Sequence, residues 1–370
     1  MRTQLTDMVG CEYPIVAFSH CRDVIAAVTN AGGFGMFGAS GYDADELDVE
    51  LKWIDDHTGG RGYGIDVLIP IKYQAGDVAG GLPEEHRAFI DELMARYGVP
   101  ELPADQREGA AAAQRRAGTL LSRAAELWDV GSAHSVRMYA SALGPPPARL
   151  IDQAHEQGAV VGALVGAVAH AERQKAAGVD FVVAQGYEAG GHCGEITTMV
   201  LVPDVVDVMG DTPVIAAGGI ASGRQMAAAM ALGAAGVWTG SVWLTTEEAE
   251  THPVVKEKFL HATASDTVRS RSSTGKPARQ LRSAWTDEWE DPANPSPLGM
   301  PQHGELIAEA KARINRAAHN SPGAKQLANY FVGQVVGRMN AIKPARQVVE
   351  EMVVEYIETM ERFERINETG

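Results

Sequence analysis

Eight short apolar runs punctuate the chain up to residue 239, and helix-patterned segments separate most of them. They are Pro14–Ser19, Gly35–Ser40, Tyr63–Ile69, Val136–Ser141, Ala159–Val165, Phe181–Ala184, Pro213–Ala217 and Gly236–Thr239. Continuous β-branched runs without polar alternation mark strands buried on both faces, which is the signature of a parallel sheet covered by helices. Eight such strands joined by short helical connections point to a (β/α)8 TIM barrel. A doubly wound open sheet is the alternative, and it carries its glycine fingerprint after the first strand. Here the densest glycine turns follow the sixth, seventh and eighth strands, so the barrel is the expectation.

Two segments fall outside the repeat. Roughly sixty residues separate the third and fourth strands, far more than the few of an ordinary βα connection. This insertion, about residues 73–130, contains an amphipathic stretch, Glu84 to Tyr97, and an alanine-rich stretch, Gly109 to Trp128. The second segment is 251–370. It holds a basic polar loop (Val268 to Arg282), an acidic Pro-rich stretch (Thr286 to Pro297) and a helical run from Pro344 to Phe363. In that run Val348, Met352, Tyr356, Met360 and Phe363 recur at helical spacing. The expected organisation is a barrel over 1–250 and a mainly helical 251–370 that packs with the insertion. It serves either as a lid over the barrel mouth or as a subunit contact in a homodimer.

The sixth strand opens the most chemically loaded stretch. Phe181–Ala184 ends at Gln185, and Gly186, Gly190, Gly191 and Gly194 follow within a loop that carries Glu188 and His192. Glycines at this density let backbone approach a flat ligand with no Cβ in the way. Loops after barrel strands are where sites are built. The plainer alternative is a βα turn whose polar residues only cap the next helix.

The loops after the seventh and eighth strands add a second signal. Gly218-Gly219 ends one strand, with Ser222 placed to cap the following helix, and Trp238-Thr239-Gly240-Ser241 ends the other. Backbone N–H groups at such turns and helix starts favour anions, and barrels bind phosphate after these same strands. Ordinary turn chemistry is the competing explanation for one glycine pair. Two such turns beside a glycine-lined loop point to a phosphorylated cofactor.

Composition narrows the classes. A formal net charge of −16 disfavours nucleic acid and anionic membrane surfaces as partners. The three cysteines, Cys11, Cys21 and Cys193, form no metal-ligand or disulfide spacing, so neither a structural metal nor a disulfide framework is expected. No apolar run is long enough to be a signal peptide or to span a membrane, and a reducing cytoplasm is the expected compartment.

At Ala31-Gly-Gly-Phe-Gly, Gln185-Gly-Tyr-Glu-Ala-Gly-Gly-His, Pro213-Val-Ile-Ala-Ala-Gly-Gly-Ile and Gly240-Ser241 the sequence resembles the nitronate monooxygenase family, formerly the 2-nitropropane dioxygenases. It is also similar to the related flavin-dependent bacterial enoyl-ACP reductase. The resemblance implies a barrel that binds FMN against Ala17, Phe18, Asp66, Gln185, Gly190 and Gly191. It places the phosphate at Gly218, Gly219 and Trp238, Thr239, Gly240 and Ser241, and the active-site histidine at His192. The implied reaction is oxidation of alkyl nitronates or nitroalkanes with O2. His192 would hold the nitro oxygens or act as a base, with its unperturbed pKa near the working pH. Glu188 is expected to fix the loop rather than react.

Two positions depart from the family. Asp66 stands where the family has an asparagine, and Phe18-Ser-His20-Cys21 replaces its Pro-Met-Ala-Gly wall, which implies a substrate unlike the usual one. His20 reads equally as a second pocket acid/base or as a helix-capping residue. The alternatives to a monooxygenase are an NAD(P)H-dependent enoyl-thioester reductase, suggested by Gly194-Glu-Ile-Thr-Thr-Met and the His252 to Lys258 tract, and a non-catalytic flavin-binding protein.

Overall fold

The computed structural model describes residues 1–69, 81–103, 106, 109 and 123–368. Eight parallel strands close into a barrel, as the run pattern predicts: β1 (Ile15–Ser19), β2 (Phe34–Gly38), β3 (Tyr63–Leu68), β4 (Val136–Ala142), β5 (Val160–Val165), β6 (Phe181–Gln185), β8 (Val214–Ala217) and β9 (Gly236–Thr239). Closure is made by β9 returning to β1, with Ile15 opposite Val237 and Ala17 opposite Thr239. Between β6 and β8 lies β7, only Gly191–His192, which belongs to a separate small sheet.

Strand alternation sorts the barrel side chains into two cores. Val16, Phe34, Met36, Met138, Phe181, Val183, Ile215 and Trp238 fill the interior. Ile15, Ala17, Phe37, Ile65, Val182, Ala184 and Val237 face the surrounding helices. The N-terminal helix Gln4–Val9 closes the bottom with Leu5, which is wholly buried and lies where a side chain on Gly236 would have to go.

A third core lies beside the barrel. Phe89, Ile90, Leu93 and Met94 of the helix Glu84–Arg96 pack with Val254, Phe259, Trp285, Trp289, Ile307 and Ile314. The alanine-rich stretch lies mostly outside the described residues, apart from its end, which is the helix Ala124–Gly131 packed into the barrel's outer core.

The long C-terminal helix, Ala345–Glu368, goes elsewhere than the sequence pattern implied. Its Val348, Val349 and Met352 join the outer barrel core, and it lies against the helix Gly223–Ala231. Gly223 allows this approach, because a side chain there would strike the backbone at Met352 and Tyr356. Met360 and Phe363, read as part of one packing face, are exposed. The apolar stripe runs past the end of the surface it covers. No helix among the described residues is long and apolar enough to cross a membrane.

The stretches read as a basic loop and an acidic Pro-rich segment carry regular structure. β10 (Thr267–Ser270) and β11 (Ala278–Leu281) form an antiparallel hairpin, and the helix Ala284–Glu290 follows. Trp285 of that helix is fully buried, donates its Nε1–H to the Ser272 carbonyl at 3.0 Å and carries the Lys311 ammonium 4.3 Å above its ring. Trp285→Ala should lower the unfolding free energy by about 3–5 kcal/mol, the usual loss for a buried aromatic. Urea midpoints of the two proteins measure it.

Candidate active site

The carboxyl ends of the strands form the mouth. There the inward-facing positions are Phe18 on β1, Asp66 on β3, Gln185 on β6 and Trp238 on β9, each next to a neighbour that faces outward. Phe18 and Trp238 stack with centroids 6.1 Å apart and planes 22° apart. Ala17 is wholly buried and faces the helices, so only its backbone can serve a ligand. Asp66 is 6 % exposed, and its Oδ2 has no hydrogen-bond partner among the described residues. Among the described residues no cation lies beside it, and burial pushes its carboxyl up to about 8.

His20 is exposed, sets its edge on Phe18 at 5.2 Å and places Nδ1 2.9 Å from the Gly38 carbonyl oxygen. It caps no helix. Cys21 holds the N-cap position of Arg22–Asn30, and the Cys21 N–H donates to Ser19 Oγ.

Behind the mouth, Glu188 accepts the Thr198 N–H at 3.0 Å, and its carboxylate lies 2.9 Å from the Thr198 hydroxyl. It therefore sits at the start of the helix Thr198–Met209, where the dipole favours a negative charge. Gly218 and Gly219 follow β8 at φ 96° and 72°, a region closed to most side chains. A Cβ on Gly219 would lie 3.2 Å from that of Glu188, so the glycine turn and the Glu188 loop are packed as one unit.

A third strip, unforeseen in the sequence, ties these loops together. The Gly333 N–H donates to Ser241 Oγ at 2.8 Å, and the Gln334 N–H donates to the Glu188 carbonyl at 2.9 Å. Gly190 lets the strip approach, since a side chain there would meet Val332 and the Gly333 nitrogen. Its one sequence mark is a glycine after the apolar Phe331-Val332 pair, with no period to single it out.

The phosphate expectation meets two internal competitors. Thr239 is buried and donates its hydroxyl to the Val16 carbonyl at 3.0 Å, so its side chain supports the barrel wall. Glu355 accepts the Gly223 N–H at 2.9 Å and Arg224 Nε at 2.7 Å, filling the start of the helix after β8. What stays open is glycine backbone. A Cβ on Gly240 would have Phe18 Cδ1 as its nearest neighbour, at 3.9 Å, and one on Gly191 would meet nothing within 4 Å.

His192 is held by the hairpin rather than by its own loop. β7 pairs antiparallel with β11, His192 opposite Ala278 and Gly191 opposite Arg279, and Nε2 lies 2.8 Å from Thr274 Oγ1. Burial, with a smaller push from the Lys276 ammonium, lowers its pKa to about 4. This corrects the expectation of an imidazole titrating near neutral pH: a half-buried ring beside a cation is neutral there.

The nitronate monooxygenase family profile matches residues 2–355. The Mycobacterium tuberculosis protein named "Putative monooxygenase Rv1533" is 57 % identical over 373 residues, covering 97 % of this chain and 98 % of that protein. Among solved structures, nitroalkane oxidase from Streptomyces ansochromogenes has a TM-score of 0.78 at 26 % identity, covering 97 % of this chain and 99 % of the other. FabK from Thermotoga maritima has a TM-score of 0.73 at 29 % identity, covering 99 % of each. With the closed barrel and a near full-length profile match, the chain belongs to the nitronate monooxygenase family of oxidoreductases.

Proposed function

We propose that this oxidoreductase uses FMN to oxidise alkyl nitronates with O2. The observation that carries the reading is the placement of His192, held half-buried at the mouth by the β7–β11 pairing with Nε2 2.8 Å from Thr274 Oγ1. There burial first and the Lys276 ammonium second lower its pKa. A ring this weakly basic is poorly matched to pulling a proton from a neutral nitroalkane. It suits donation of a hydrogen bond to an anion, and a nitronate has already lost that proton. The family match and the likeness to a nitroalkane oxidase support the same substrate chemistry.

The residues at the mouth fit a flat, phosphorylated cofactor. The open backbone at Gly191 and Gly240 is a cradle that a Cβ would fill, and the orphaned Asp66 oxygen is a buried polar atom in need of a partner. Phe18 and Trp238 would supply flat walls, Ala17 its backbone, and Gln185 and Asp66 hydrogen bonds to the ring edge. Gly191 would let the ring approach, while Gly190 makes room for the strip, and the turns at Gly218, Gly219, Gly240 and Ser241 would take the phosphate. When bound, FMN supplies the electron-transfer chemistry. The chain's own work is orientation: His192 holds the nitro oxygens, Glu188 keeps the loop folded, and the 332–334 strip locks both loops in place.

Purified protein should be yellow and release FMN on heating. Gly240→Asp tests the phosphate turn. The backbone there is at φ −125° with open space around it, so the change is compatible with folding while adding a negative charge beside the phosphate. FMN should dissociate at least about tenfold more readily, roughly 1.4 kcal/mol. Unchanged affinity by fluorescence titration would move the phosphate elsewhere.

A second reading, an NAD(P)H-dependent enoyl-thioester reductase, rests on the likeness to FabK and on the altered Phe18-Ser-His20-Cys21 wall. Anaerobic mixing of holoenzyme with propionate-3-nitronate, NADH or NADPH separates the two. Bleaching of the flavin by the nitronate alone supports the first reading, and bleaching by a nicotinamide alone supports the second.

A further inference from the structure

We propose that Thr274 is the positioning residue for His192: its hydroxyl donates to Nε2 and so keeps the imidazole proton on Nδ1. The inference rests on His192 acting on the substrate, and it adds the group that decides which face of the ring chemistry it can perform.

The contact itself is short, 2.8 Å between Nε2 and Thr274 Oγ1, and it spans 82 residues of sequence. Both ends are fixed. His192 is held by the β7–β11 pairing, opposite Ala278. Thr274 lies in the turn of the same hairpin, closed by the Gly275 N–H donating to the Arg271 carbonyl at 2.8 Å and by Arg271 Nε donating to the Gly275 carbonyl at 2.9 Å. The base of that turn is anchored in the third core. The Ser272 carbonyl accepts from Trp285 Nε1 and lies 3.0 Å from His303 Nε2, and Ser272 Oγ accepts from Gln280 Nε2 at 3.2 Å.

A hydroxyl has one proton to give, and the contacts around Thr274 indicate where it goes. The Lys276 N–H donates to Thr274 Oγ1 at 3.3 Å, which uses one of the oxygen's lone pairs. Two acceptors remain for the proton, the Lys276 carbonyl at 3.2 Å and His192 Nε2 at 2.8 Å. Were the proton given to the Lys276 carbonyl, the second lone pair of Oγ1 would accept Nε2–H instead. Donation along the shorter contact makes Nε2 the acceptor, and a neutral ring then carries its proton on Nδ1. Among the described residues no group bonds Nδ1. It is therefore the nitrogen left to donate to an anionic oxygen. The opposite tautomer would present a lone pair to that anion and repel it.

The test combines variants of the holoenzyme with ¹⁵N NMR of the histidine rings, His192 being assigned by its loss in His192→Ala. In the wild type, Nδ1 should show the protonated shift and Nε2 the unprotonated one. Thr274→Val, close in shape but without the hydroxyl, should mix the tautomers and lower kcat/KM roughly tenfold to a hundredfold while FMN stays bound. Thr274→Ser should recover most of the loss. Added to His192→Ala, Thr274→Val should cost nothing further, because the two act as one unit. A wild-type His192 protonated on Nε2 would overturn the inference even if no Thr274 variant folds. So would Thr274→Val at the wild-type rate with unchanged His192 shifts, which would leave the histidine's own role standing. His192→Ala at the wild-type rate would instead remove that role, and the inference with it.

Discussion

Replacing His192 with alanine is expected to lower turnover roughly 10²–10³-fold, the worth of one positioned donor at developing charge, and to leave FMN bound. The flavin contacts proposed above come from Phe18 and Trp238, the backbone of Ala17 and the glycines, Gln185 and Asp66, none of which depends on the imidazole. The ring's pKa of about 4 makes a second, sharper expectation. A histidine near its ordinary pKa of about 6.5 would put an inflection in kcat/KM within the physiological range. Here the ring stays neutral from about pH 5 upward, so no such inflection should be assignable to it. His192→Asn should recover part of the loss, because an amide N–H can donate where alanine cannot. Stopped-flow reduction at matched flavin content measures all three proteins. If both variants reduce flavin at the wild-type rate, the chemistry lies elsewhere in the mouth, and His20 becomes the residue to test.

The barrel was legible because its physics is local. A parallel strand covered on both faces needs an unbroken apolar run, and Phe181–Ala184 or Val160–Val165 can be read as such without knowing their partners. The glycine turns were legible for the same reason, since only glycine accepts φ 96° and 72° at Gly218 and Gly219 with little penalty. The hairpin that holds His192 was not. Its strands are four residues each and carry Arg269, Ser270, Arg279 and Gln280. Arg279 and Gln280 are buried and find partners distant in sequence, the Tyr187 carbonyl for Arg279 Nε and Asn329 for Gln280. Hydropathy reads such residues as a solvated loop, because it cannot see a partner supplied from another part of the chain. The lowered pKa of His192 has the same origin, in burial under a hairpin more than eighty residues downstream. Alternation on β9, already legible in the sequence, puts Trp238 inward and therefore turns the Thr239 side chain outward, toward the Val16 carbonyl.

Asp66→Asn is expected to stabilise the apoprotein increasingly as pH rises, by up to about 5 kcal/mol near pH 8 and by little near pH 4. The carboxyl lies at the mouth end of β3, between Gly38 on β2 and Ala140 on β4, neither of which carries a charge. Among the described residues His20, bonded to the Gly38 carbonyl, is a titratable side chain on that rim. Burial raises the folded pKa from 3.8 to about 8. Between those two values the folded protein keeps a proton that the unfolded chain releases. Unfolding therefore sheds a proton, and stability falls as pH rises through this window, levelling once both states are ionised. Asparagine has no proton to lose, so the variant lacks this slope. The same protonation would let an acid serve where the resemblance implies an amide. Near neutral pH a protonated carboxyl offers one donor and one acceptor, as an amide does, and only above about pH 8 would it become a bare anion toward the proposed flavin. FMN affinity should accordingly weaken above pH 8 in the wild type and hold steady in Asp66→Asn. Urea midpoints of both apoproteins at pH 5, 6.5 and 8, with FMN titrations at the same pH values, decide the matter. Parallel stability curves would mean that Asp66 is solvated or paired in the folded protein and ionised like an ordinary aspartate.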